Sequence, residues 1–220
     1  MKTIKKIQQI LPFATLLAAA ALLAGCGTTS GYKQADKTGE GIAEFRAEIV
    51  NSKKAIDETM KSLDQIVESA TSDPRKAFEH YTKSVANLES AAAKARKRSQ
   101  EMKDQGQAYF AQWEKQLAEV QNTEIRNLAT ARKAKLQETF DTIAKAAAPI
   151  KVQFDPWMSD LKDLQKYLAN DLTIAGVDAA KSLIAKTRTE GMEVQKSMDT
   201  LLGELNSVAA TLTPAKVPQK

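Results

Sequence analysis

The sequence predicts an all-α protein: an elongated antiparallel helical bundle or coiled coil of three to four long helices. Three observations carry this. From Ile42 to Leu212 the chain is rich in Ala, Leu, Lys, Glu and Gln, the residues that lose least on entering a helix. Over that span only Gly106, Gly176, Gly191 and Gly203, with prolines at 74, 149 and 156, interrupt it. Apolar residues recur at three-four spacing, the pattern of a helix with one face against a neighbour.

The first run is Ile42, Phe45, Ile49, Ile56, Leu63, Ile66 and Ala70, with Ser52 and Thr59 as polar lapses. The second is Phe78, Tyr81, Val85, Leu88, Ala92, Ala95, Met102, Tyr109 and Trp113, with Ser99 and Gly106 as lapses. The third is Val177, Ile184, Val194, Met198, Leu201, Leu205, Val208 and Leu212. Each stripe is too narrow to hold a helix in water alone, so the helices must pack on one another. Asp73-Pro74 predicts a cap with proline in the first turn. Asn122-Thr123-Glu124 marks a kink or a short turn before helix three. Pro149 is expected to bend its helix, and Asp155-Pro156 to start a further segment. Thr173 is the expected cap of the last helix. A helix from Pro74 to about Gln121 would be roughly 70 Å long, hence a rod rather than a ball.

Outside this body the chain divides into three more parts. Residues 1–25 carry Lys2, Lys5 and Lys6 with no acid, then an apolar run from Ile10 to Ala24. Fifteen helical residues reach only about 22 Å, short of a bilayer core, so an export signal is expected rather than a membrane span. Residues 26–41 hold four of the nine glycines among short polar residues, the composition of a flexible tether. The tail 213–220, with Pro214 and Pro218, is expected to be disordered.

Leu23-Ala24-Gly25-Cys26 resembles the lipobox of bacterial lipoproteins at all four positions. The resemblance implies a lipid on the Cys26 sulfur, cleavage before it, and acylation of the new amino terminus by fatty-acyl chains such as palmitate. Two or three chains anchor a protein stably where one does not. By resemblance to the sorting rule of Gram-negative lipoproteins, Gly27 in place of an aspartate implies the periplasmic face of the outer membrane. The mature chain then keeps no thiol, which excludes disulfide and Cys-metal chemistry. Of 32 basic residues three leave with the signal, and 29 against 27 acids is a net charge of +2. That balance gives no reason to expect a nucleic-acid partner.

Few residues suggest chemistry. His80 is the single histidine, its nearest acid in sequence, Glu79, points to another helical face, and no metal or cofactor site is expected. No phosphate-binding glycine loop and no nucleophile–histidine–acid set is suggested, so the protein is not expected to be an enzyme. Lys94, Arg96, Lys97 and Arg98 form the densest basic run, either a contact for an anionic surface or a solvated face balanced by Glu101 and Asp104. Tyr109, Phe110 and Trp113 form one aromatic group, Phe154 and Trp157 another; each is a broad core layer or a partner site. Trp113 is expected to pack against Trp157 or Phe154 across helices. The terminal Lys220 resembles, in that one residue, the lysine by which the murein lipoprotein of enteric bacteria joins peptidoglycan.

The stretch from about Asp73 to Leu205 resembles a bacterial family of unknown function made of exported, helix-rich proteins. The likeness rests on Trp113-Glu114, Asn122-Thr123-Glu124-Ile125-Arg126, the Pro156 region with Leu161, Asp163 and Leu164, and Leu168 with Asn170-Asp171-Leu172. It implies an elongated helical fold and no activity. Two functions are open: a lipoprotein spacer or protein-docking module, or an envelope protein that engages lipid or peptidoglycan through its basic face and tail.

Overall fold

A computed structural model describes residues 31–212. The export signal, Cys26 and the tail with Lys220 lie outside the described residues. Four helices account for 93% of the described part: α1 (Gly31–Ser69), α2 (Arg75–Ala118), α3 (Thr123–Asn170) and α4 (Ile174–Leu212). Short turns join them, so chain neighbours run antiparallel, and they close in the order α1–α2–α3–α4 around one core. The α1–α2 seam is the most extensive and α2–α3 the thinnest. With 48 residues, α3 is about 72 Å long.

The predicted seams are the buried ones. Ile42, Phe45, Ile49, Ile56, Leu63 and Ile66 of α1 face α2 and α4, and all eight apolar residues of the α4 run are buried. Three of the four lapses, Ser52, Thr59 and Gly106, are buried too, and Ser99 is half-buried. Thr59 satisfies its hydroxyl on the Ala55 carbonyl at 2.8 Å, one turn back, whereas Ser52 Oγ has no partner.

Local signals fix the helix starts. Asp73 accepts from the Arg75 backbone N–H at 3.2 Å, and Asn122 from Glu124 and Ile125 at 2.9 and 3.1 Å. Thr173 accepts from the Gly176 N–H at 3.1 Å, capping α4 as expected.

Three expectations are corrected. Helix α1 begins at Gly31, so residues 31–41 are not tether: Thr38 and Gly41 are buried there. Gly41 lies so close to Gln105 of α2 that a side chain would collide with it. Glycine-rich composition reads as spacer, but here it permits close approach. Second, Asp155-Pro156 starts nothing, and α3 runs unbroken through both prolines. Asp155 is paired with Arg96 instead of capping. Pro149 and Pro156 stand seven residues apart on the exposed face, so each carbonyl they leave unpaired faces water. Third, the aromatic groups stay apart. The Glu114–Lys133 and Glu89–Lys162 pairs set the α2–α3 register, which places Trp113 and Trp157 roughly 30 Å apart along the rod.

Candidate functional site

In the middle of the rod a layer of small side chains leaves space. Ser52, Ala92, Ala95 and Ala147 surround a cavity of about 90 Å³ between Phe45 and Phe154, with lining residues from all four helices. The unpaired Ser52 hydroxyl lines it. Arg96 and Lys151 also contribute to its wall, which is otherwise largely apolar. Toward the α2–α3 turn it adjoins a cleft of about 580 Å³ on the thin α2–α3 seam, where Gly106 faces Phe140. This lining can hold apolar groups.

The basic run lies beside this layer and is largely neutralised. Arg96 pairs with Asp155 and sits 5.5 Å from the centre of the Phe154 ring. Arg98 reaches Glu101 at 2.7 Å and Glu44 of α1 at 3.0 Å, and both contacts hold its guanidinium firmly protonated. Lys97 lies 3.8 Å from Glu101, which leaves Lys94 as the exposed member without an acid beside it. All but Arg98 project to solvent, with carboxylates interleaved.

The aromatics divide by burial. Trp157 is 1% exposed and donates its indole N–H to the Thr187 carbonyl at 2.7 Å, while its ring lies on Gly191, where a Cβ would come within 2.9 Å. Tyr109 is also buried, edge to face with Trp113 at 5.6 Å between ring centres, and burial pushes its hydroxyl pKa up despite Arg132 nearby. Trp157 and Tyr109 are therefore core residues and not exposed contacts. Trp113 is half-buried and flanks Gly31 with Gln112 and Gln116.

His80 has a partner that its sequence neighbours do not suggest. Its Nε2 donates to Glu58 Oε1 at 3.0 Å, and Nδ1 lies 3.2 Å from Gln65 Oε1, both on α1. Only the hairpin register, with pairs centred near Ser72, brings these residues together. Tyr81 is a further residue whose role only the structure supplies. It is fully buried, its hydroxyl donates to the Leu161 carbonyl at 2.7 Å, and burial drives its pKa far upward. No group of three or more His, Cys, Asp or Glu suited to a metal occurs among the described residues. No described helix is long and apolar enough to cross a membrane.

A family described as protein of unknown function (DUF2959) matches residues 28–212. The chain belongs to it. The DUF2959 match starts three residues before α1 and ends at the last residue of α4, so the family unit is the complete bundle, including the α1 stretch expected to be tether. No curated protein and no solved structure matches the chain.

Proposed function

We propose that this DUF2959 protein is a non-enzymatic envelope lipoprotein, anchored through acyl chains on Cys26 at the periplasmic face of the outer membrane, whose rod acts as a spacer or protein-docking module. The observation that carries this reading is the pairing of a four-helix rod about 72 Å long with a lipobox only five residues ahead of its first helix. A stiff body on a short leash holds whatever binds its far end at a set height above the bilayer. The leash is short because five residues span at most about 18 Å in any conformation. The polar atoms of the wall also fit a scaffold: their partners are other side chains of the rod, as with Arg98 and Glu44 or Lys162 and Glu89.

The experiment is Cys26→Ala with fractionation of the envelope and mass measurement of the amino-terminal peptide. Loss of acyl mass and release from the membrane fraction is the expected result; an unaltered membrane fraction and normal processing would overturn the anchor. Photo-crosslinking from exposed positions in intact cells then identifies what docks, and crosslinks confined to one band of the rod are expected.

A further inference from the structure

The first three turns of α3 are helical and almost uncovered. From Thr123 to Lys135 no residue is buried, and the first that is buried is Leu136. Ile125 and Leu128 are 54% and 72% exposed, an unusual place for two large aliphatic side chains one turn apart. Successive residues of a helix turn by about 100°, which puts Ile125, Leu128, Arg132 and Lys135 within an arc of about 80°. This is an apolar tip followed by cations on one face. Arg126, Arg132, Lys133 and Lys135 stand against a single carboxylate, Glu124. Lys133 is paired with Glu114, but Arg126 and Arg132 donate only to the backbone carbonyls of Val120 and Thr211, which leaves their charge in place.

The position of this face bears on what would cover it. Helix α1 begins at the same end of the rod, with Gly31 against Gln116 in the last turn of α2. Cys26 is within about 18 Å of that point along the chain. The opposite end carries Tyr167 and Ile174 among Asp163, Asp171 and Asp178, with Lys166 and Lys181 taken up by Asp163 and Asp178. Cations with an exposed aliphatic tip match an anionic bilayer surface: the charges attract headgroups and the aliphatic groups enter the boundary below them.

We infer that Thr123–Lys135 is a docking surface for an anionic bilayer, which seats the α1-start end of the rod on the membrane through Ile125, Leu128, Arg132 and Lys135. This deepens the lipoprotein reading and rests on it for the position of the anchor. The surface adds orientation that acyl chains alone do not give, because an anchor at one residue fixes a height above the bilayer and not an angle to it.

The test uses the whole processed protein, isolated from the envelope and reconstituted into vesicles. Leu128→Cys and, separately, Ile174→Cys carry an environment-sensitive fluorophore, and both sites are exposed, so the fold is retained. Vesicles contain phosphatidylglycerol with phosphatidylcholine, or phosphatidylcholine alone, and a lipid-borne quencher. The expected result is a blue shift and quenching at 128 on the anionic vesicles, largely lost in high salt, and neither at 174. Adding Arg132→Glu and Lys135→Glu should abolish the signal at 128. Equal signals at 128 and 174, or a blue shift at 128 that depends on protein concentration without vesicles (a second copy covering the face), would overturn the docking surface. Mass measurement of the Cys26 peptide in the same preparation separates the two readings. Acyl chains with no quenching at 128 sink this inference and keep the anchor; salt-sensitive quenching at 128 with a bare Cys26 does the reverse.

Discussion

The two halves of α3 have the same backbone conformation and opposite surroundings. Between Phe154 and Leu168 the helix buries Phe154, Trp157, Met158, Leu161, Leu164 and Leu168, and Trp157 adds a hydrogen bond to α4. Between Thr123 and Lys135 it buries nothing. Helicity and burial are thus separate properties. The bare half stays helical on local terms: the Asn122 cap, Glu124 in the first turn, and a run of alanine, lysine and arginine. The buried half is held by the seam, which contributes far more, since large side chains are worth on the order of 2 kcal/mol each when removed from water.

The sharpest way to break this contrast is to delete one side chain from each half. Trp157→Ala should cost about 3–5 kcal/mol in denaturant unfolding, through the lost ring, the cavity and the freed Thr187 carbonyl. Leu128→Ala should stay within about 0.5 kcal/mol. If the two cost the same, the halves are not different in the way the burial implies.

A pair of glycines on α4 sharpens it. Gly191→Ala gains up to about 1 kcal/mol of helix propensity, but its Cβ would press on the Trp157 ring, and overpacking costs about 1–3 kcal/mol, so net destabilisation is expected. Met60, the other neighbour, can swing away; the buried indole cannot. Gly203→Ala meets nothing within 4 Å and should stabilise by up to about 1 kcal/mol. Thermal melts of the two variants should move in opposite directions. Tyr81→Phe tests the hydrogen bond between α2 and the buried half of α3 and should cost about 1 kcal/mol, with the ring packing retained.

The smallest effect is electrostatic. Asp73, at the start of α2, has its carboxyl pKa lowered from 3.8 to about 2, first by the Arg75 side chain and then by the Arg75 backbone N–H. A depressed folded-state pKa contributes stability above the unfolded value, and that contribution is lost as pH falls from about 4 toward 2. Carboxyl NMR titration should find Asp73 low in that range and returned toward its ordinary value in Arg75→Gln. The acidic limb of the stability curve should change little, since the pair is exposed.

Much of the rod was legible beforehand. Asp73, Asn122 and Thr173 announced three helix starts, and the three-four runs named nearly the whole core of α1, α2 and α4. The stripe of α3 escaped, because Pro149 and Pro156 suggested breaks and the bare first half supplied no apolar repeat to extend. The start of α1 escaped because glycine favours a spacer in isolation and a close helix contact only when a partner such as Gln105 is present. Among the candidate site residues, the charge balance around Arg98 was half visible in Glu101; Glu44 and Asp155 were not, being far off in sequence.

The sequence by itself determined that the chain is helical, where most helices begin and which faces turn inward, because caps, propensities and periodicity act within one or two turns. Only the tertiary structure decided which layers meet: Trp157 on Gly191, His80 on Glu58, Tyr81 on the Leu161 carbonyl, and Ile125 with Leu128 left largely exposed. The reason lies in the repeat. A seam that recurs every seven residues packs almost as well after a slide of seven, so its register is settled by turn lengths and by side chains distant in the chain.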